Sequence, residues 1–355
     1  MKVNTKLLKT MLGKVGSCKP TNILEITNYY ELEFSDKGFI IRATDGTNYM
    51  TVIDEDYTQD EVFSVIVKAD QFTKLINKTT KEEVTLTVKS DYLEVKGNGT
   101  YKVEIVADEE YPTHSLDIEE FGEIQLEGFK NAMQGAKNAK SQTANDGVLF
   151  SYLVRDECLY TADAIKVYSK DLEGIDMEDV EILIPPGLAT LLMSLDGDTV
   201  KVYIDKDDNK AQFVSKSVTV VGGLSEGADQ YPDLAELFDE PFPHQARLSK
   251  QNLISAIDRL NLFVSLFDKG VISIVFTQDG LLLSTASNSN EMVMYETPLA
   301  EPVEYVYSVN SKYLQDLVSV ADNDMITVCF GLDDTLKLMT ADSMMILATA
   351  ENDED

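Results

Sequence analysis

A ten-residue pattern that occurs three times constrains this chain more than any other feature. Val67-Lys-Ala-Asp-Gln-Phe-Thr-Lys-Leu-Ile76 reappears as Ile184-Pro-Pro-Gly-Leu-Ala-Thr-Leu-Leu-Met193 and as Val309-Asn-Ser-Lys-Tyr-Leu-Gln-Asp-Leu-Val318, at offsets of 117 and 125 residues. Each copy reads as the end of an apolar strand running into a short amphipathic helix. A polar turn and an alternating strand follow each time: Val84–Val88, Val200–Ile204 and Ile326–Phe330. A second landmark drifts in step with the first. The strand that runs from Gly38 to Asp45 matches Cys158 to Asp163 and Gly280 to Ser287, which spaces Asp45, Asp163 and Ser287 by 118 and 124 residues. Chance similarity does not give two landmarks one drift, so the chain is a threefold repeat.

The repeat sets the architecture. A further helix is expected to open each copy, over about Thr5–Val15, Leu126–Lys140 and Lys250–Phe263. The first two copies close on Tyr111-Pro112 and Tyr231-Pro232, each followed by an acidic, proline-bearing connector. With 355 residues the chain is too long for one ordinary domain. Three domains are expected, over 1–116, 117–240 and 241–355, the last ending in an acidic tail, Glu351–Asp355, read as solvated. Each is helix, strands, helix, strands. The fold class is α+β, with antiparallel sheet covered by two helices on one side.

Charge then becomes informative. The net charge is −32, and a polyanion repels nucleic acid unless its cations are concentrated somewhere. They are. Residues 1–24, 68–81, 124–145 and 246–260 hold 15 of the 30 Lys and Arg but 3 of the 62 acids, a balance of +12 that leaves −44 elsewhere. Lysine on one helix is usually a solvated face. Four such segments at equivalent points of a repeat point instead to a shared basic surface that contacts phosphates without reading sequence. Lys6, Lys9, Lys14, Lys74, Lys78 and Lys250 lie in these segments.

Other chemistry finds little support. No G-x-x-x-x-G-K-[ST] motif is present, and Gly222-Gly223 reads as an ordinary turn. Asp205–Asn209 resembles a calcium loop, but its sixth position is not Gly and its twelfth is not Glu, so it reads as a hairpin turn. His114 and His244 fall in the connectors with no nucleophile signature nearby. Cys18, Cys158 and Cys329 have no metal-ligand spacing and suit a reducing cytoplasm. No run of about 18 apolar residues and no apolar signal core occur, so neither a membrane span nor secretion is expected. The expectation is a protein without metal, cofactor or catalytic activity.

At this point the residues resemble a known family, the bacterial DNA polymerase processivity clamps, or beta sliding clamps. The resemblance rests on the threefold repeat, Ala43-Thr44-Asp45-Gly46, Val67-Lys68-Ala69-Asp70-Gln71-Phe72, Tyr111-Pro112, Tyr231-Pro232 and Val309-Asn310-Ser311-Lys312-Tyr313-Leu314. It implies a head-to-tail homodimer closed into a ring, with helices inside and sheets outside. Such a ring encircles double-stranded DNA, tethers the replicative DNA polymerase and is opened by an ATP-dependent clamp loader. Position by position, the resemblance makes Lys19 a DNA contact. It places a DNA-touching loop at Asn138–Ala144, where Thr143 and Ala144 replace an aromatic pair and Lys137 and Lys140 take over the contact. A partner-peptide cleft would include Ala162, Ala164, Ile165, Lys166, Val167, Ile346 and Ala348, with Ala164-Ile165-Lys166 standing where the family has Gly-His-Arg. The dimer interface would pair Tyr101 and Val103 with Leu262 and Phe263. The competing reading is an acidic multi-domain interaction protein or DNA mimic that binds replication proteins without encircling DNA.

Overall fold

A computed structural model of the chain describes all residues except 22, 58–62, 107–109, 173–179, 265–268, 322 and 350–355; the acidic tail Glu351–Asp355 thus lies outside the described residues. Seven α-helices occur among the described residues: α1 (Thr5–Val15), α2 (Ala69–Lys78), α3 (Leu126–Ala136), α4 (Pro186–Leu192), α5 (Ala235–Asp239), α6 (Lys250–Leu260) and α7 (Ser311–Val320). Helix-opening and second-helix positions fall where the repeat places them. The strands all pair antiparallel.

The opening helix shows why. Asn4 caps α1, its Oδ1 accepting from the amides of Lys6 and Leu7 at 2.9 and 3.1 Å. Leu8, Met11, Leu12 and Val15 recur at helical spacing and are buried against the sheet. Asn310 caps α7 the same way, through the amides of Lys312 and Tyr313. Two opening helices end earlier than expected. After α3, the amides of Ala139 and Lys140 both return to the carbonyl of Ala136, and the chain turns inward. After α6, the amides of Leu262 and Phe263 bond carbonyls only three residues back, which closes the helix and leaves both side chains exposed.

The chain forms two compact units, and their boundary divides the middle repeat. The first comprises the described residues of Met1–Glu127 with Pro185–Leu224. Its twelve-stranded sheet runs through the whole first repeat, then continues from Tyr49–Asp54 into Val218–Gly223 and on to Gly122–Gln125. The joint is an ordinary antiparallel ladder, with Met50 opposite Val220 and Val52 opposite Val218, all buried. α1 and α2 pack side by side in this unit.

The second unit comprises the described residues of Gly128–Glu173, with Glu181–Ile184 and Ser225 onward. It holds an eight-stranded sheet, in which Lys166–Asp171 of the middle repeat pairs with Ser343–Ala348 of the last, and a four-stranded sheet. α6 and α7 pack together here as α1 and α2 do in the first unit. α3 approaches its sheet closely at Gly135. A Cβ there would lie 2.4 Å from the hydroxyl of Tyr168, which is fully buried. The Asp205–Lys210 segment is the hairpin turn expected from sequence, with Asp205 Oδ1 accepting from the amides of Asp207 and Asp208.

Leu8 is 0 % exposed at the centre of the α1 contact. Leu8→Ala should cost roughly 2–5 kcal/mol, because it removes transfer free energy and leaves a cavity. Urea denaturation of the two proteins measures the difference.

Candidate nucleic-acid interface

The nine sequence-predicted DNA-contacting lysines separate by what their ammonium groups already hold. Lys6 on α1, Lys19 in the loop after it, Lys78 in the last turn of α2 and Lys137 after α3 are exposed, with no carboxylate in ion-pair range among the described residues. Lys74 is exposed and touches Asp70 one turn earlier at 2.8 Å. A pair this open adds little stability and is easily exchanged for a phosphate.

The other four are committed within the protein. Lys9 donates to the carbonyl of Thr79, the residue that ends α2, at 2.8 Å. Lys250 donates to the carbonyls of Ser319 and Ala321 at the end of α7. In both units an opening-helix lysine thus satisfies carbonyls that a helix C-terminus leaves open.

Lys14 pairs with Asp196 at 2.7 Å and reaches Ser217 Oγ at 2.9 Å. Asp196 also accepts from Ser215 Oγ, Ser217 Oγ and the Ser217 amide. Burial alone would raise this carboxyl, but the bonds from Lys14 and Ser217 outweigh it and hold it at about 2. The group therefore ties α1 to the loop after α4.

Lys140 corrects the sequence expectation most sharply. It is 4 % exposed, with its ammonium on the carbonyl of Ser141 at 2.8 Å and over the rings of Phe150 and Tyr152. Burial, with Lys137 nearby as a second cause, lowers its pKa. The inward turn after α3 puts it there, out of reach of a phosphate.

The predicted cleft residues divide similarly. Ala162, Val167 and Ile346 share one buried apolar cluster with Leu153 and Leu183, and Val167 faces Ile346 across the ladder. Ala164 and Ile165 are exposed in a turn organised by Asp163, and the Ala348 amide bonds the Ile165 carbonyl at 2.8 Å. Lys166 is another correction. It is 6 % exposed, held by the Asn138 carbonyl at 2.6 Å and the Tyr313 ring at 4.6 Å, so it braces the fold and does not face a peptide.

Sequence reading missed the connector's share of this cluster. Tyr231, Leu234 and Phe238 are all buried in it. The signal was available: an apolar residue at Leu234, Leu237 and Phe238 recurs at helical spacing inside a segment read only as acidic linker. Leu237 remains 43 % exposed beside them in sequence.

Of the predicted interface residues, Leu262, Phe263 and Tyr101 are exposed by 80, 56 and 41 %. Val103 is fully buried, although Tyr101 two residues earlier on the same strand face is exposed. Among the described residues, the Thr100–Val103 stretch of this strand pairs only with Tyr92–Lys96, and Asn290–Met294 pairs only with Gly280–Ser284. Each leaves a strand edge open. The second edge carries Met292 and Met294, about half exposed.

Burial pushes the Cys158 thiol up to about 11 and the Cys18 thiol up to about 12, so neither is a thiolate at neutral pH. No helix among the described residues is long and apolar enough to cross a membrane.

Residues 2–116 match the family model of the DNA polymerase III beta subunit, N-terminal domain. The beta sliding clamp of Staphylococcus aureus is 24% identical over 330 residues, covering 88% of this chain and 87% of the relative. The Staphylococcus epidermidis beta sliding clamp is 25% identical over 284 residues, covering 76% and 74%. The sliding clamp structure from Bacillus subtilis superposes with a TM-score of 0.86 at 17% identity, covering 99% of this chain and 98% of that one. A Helicobacter pylori beta clamp bound to a DNA ligase peptide superposes at 0.85 with 15% identity and 99% of each chain covered. Antiparallel sheets carrying paired helices in this order define a sliding-clamp fold. Residues 2–116 thus match the N-terminal domain of the DNA polymerase III beta subunit family, and the chain as a whole is similar to bacterial beta sliding clamps and shares their fold, which supports a bacterial-type DNA polymerase processivity clamp.

Two measurements follow from the lysine assignments. Lys6→Glu, Lys19→Glu and Lys78→Glu should each weaken DNA binding and lower the slope of log affinity against log salt by about 1, whereas Lys140→Gln should leave that slope unchanged. For Asp196, a depressed carboxyl stabilises above its unfolded value near 4 and loses that contribution as pH falls toward 2, so Asp196→Asn should cost roughly 2 kcal/mol at pH 7 and almost nothing near pH 2. Urea titrations at the two pH values test this.

Proposed function

We propose that two copies of this chain associate head to tail into a ring of six similar domains, with boundaries near 116 and 240 in each chain. The ring encircles double-stranded DNA, slides along it and tethers the replicative polymerase. The observation that carries this reading is the placement of free lysines. Lys6, Lys19, Lys78 and Lys137 lie on or directly after helices of the repeat, in a chain of net charge −32. Contacts from lysine to backbone phosphate carry no sequence information, so they hold a duplex without stopping it. The −44 carried by the rest of the chain discourages DNA from binding elsewhere.

The two open strand edges support the dimer. Thr100–Val103 with Tyr101 and Asn290–Met294 with Met292 and Met294 are distinct surfaces of one chain, as a heterologous contact requires. Leu262 and Phe263 add exposed apolar area beside α6. For polymerase and other peptide-bearing partners, the surface around Ala164, Ile165 and Ala348 above the Val167–Ile346 cluster is the docking site, with Lys166 beneath it as a brace. A peptide on the Helicobacter pylori relative, in its DNA ligase complex, supports this by analogy. The function needs no catalysis by the clamp. Opening the ring falls to a separate ATP-dependent loader, and the work is done in the cytoplasm.

Topology is the test. The protein should sediment as a dimer, stay on nicked circular DNA when loaded and run off once the circle is linearised. A monomer that is retained equally on circles and linear DNA would sink the proposal. Phe263→Asp should dissociate the dimer and abolish circle retention while leaving the fold intact, since the side chain is exposed in the single chain.

A further inference from the structure

Around the apolar cluster of the second unit, exposed charge is of one sign. Ala162, Val167 and Ile346 are buried in this cluster together with Leu234 and Phe238 of the connector. At its margin, Ile165 and Leu237 are 38 and 43 % exposed. The Ile165 amide donates to Asp163 Oδ1 at 2.8 Å, and its carbonyl accepts from the Ala348 amide at 2.8 Å. Its backbone is thus satisfied, and what it offers to solvent is an alkyl side chain. The short helix α5 accounts for Leu237. Leu234 and Phe238 lie one helical turn apart and are buried, which leaves Glu236 and Leu237 facing water.

The cations near this cluster are committed inside the protein. Lys166 is 6 % exposed and held by the Asn138 carbonyl, and Lys337 is 7 % exposed and donates to the carbonyls of Phe238 and Glu240. Arg155 holds Glu181 and the Ala228 carbonyl. The acids face the other way. From Glu226 to Glu240 the connector carries six acids and no lysine or arginine, and all six acids are exposed. An apolar group docking here would remove Ile165 and Leu237 from water. A cation beside that group would meet carboxylates, whereas an acid beside it would be repelled.

We infer that this surface selects peptides in which an apolar anchor is flanked by lysine or arginine. Ile165 and Leu237 take the anchor, and Glu236 and Asp239 set the preference for charge. The inference rests on the proposed docking of partner peptides at this surface and adds the chemistry of those peptides.

Two synthetic peptides test it. They share the core Ala-Leu-Leu-Phe-Ala, flanked at both ends by Lys-Lys in one and by Glu-Glu in the other, and each is titrated into the full-length protein by fluorescence anisotropy at low salt. The lysine-flanked peptide should bind about tenfold more tightly, and the gap should narrow as salt rises. Ile165→Ser should weaken both peptides about fivefold, because the apolar contact is lost. Glu236→Gln combined with Asp239→Asn should weaken only the lysine-flanked peptide, by about threefold. Asp36→Asn, at an exposed acid of the other unit, should change neither. All the substituted side chains are exposed, so the variants keep the fold. Equal binding of the two peptides, or a preference that Asp36→Asn reduces as much as the connector variant does, overturns the charge selection; a loss with Ile165→Ser then leaves the docking surface standing. No binding of either peptide, or binding that Ile165→Ser leaves intact, overturns docking at this surface and the inference with it.

Discussion

Cross-strand pairing between repeats is the interaction on which the rest of this structure depends. A strand edge leaves a row of amide and carbonyl groups unsatisfied, and a single repeat has such edges at both sides of its sheets. Pairing Tyr49–Asp54 with Val218–Gly223, and Lys166–Asp171 with Ser343–Ala348, satisfies those groups and buries Met50, Val52, Val167 and Ile346 at the same stroke. The compact units therefore follow the sheets and cut across the repeat. Where pairing stops, at Thr100–Val103 and Asn290–Met294, strand edges remain open among the described residues.

That backbone frame decides what each lysine is for. Lysine on a helix facing water is free to meet a phosphate, as at Lys6 and Lys78. The same residue type near a helix end is drawn to the carbonyls left open there, as Lys9 and Lys250 are. Buried lysines such as Lys140, Lys166 and Lys337 keep their charge tolerable by bonding backbone carbonyls and lying over aromatic rings. Four of the nine expected DNA-contacting lysines, Lys9, Lys14, Lys140 and Lys250, thus serve the fold first. A net positive balance in a segment says that cations are there, not that they are available.

Much of the fold was legible because its signals are local. Period-3.6 and period-2 patterns and Tyr-Pro closures each report on a few neighbouring residues. The lines around the candidate site were less legible. Val103 and Tyr101 lie two apart on one strand and should share a face, yet one is in the core and the other is 41 % exposed. Alternation predicts a common face but not how far the covering layer extends over it. Phe238 sits among acidic neighbours that mask its helical spacing with Leu234, and the ladder between Lys166–Asp171 and Ser343–Ala348 builds the cluster that receives it.

By itself the sequence determined the threefold plan, the α+β class, the segregation of positive charge onto the repeat's helices and the family to which these point. Those properties are carried by spacing and composition, which survive without coordinates. Tertiary structure decided which ammonium groups are free, which predicted contact residues are core, and that the connector's acids face water beside a cluster whose nearby lysines are buried. The reason is physical. A charge or a hydroxyl acts through what lies within a few ångströms of it, and in this chain those neighbours are often 70 or more residues away.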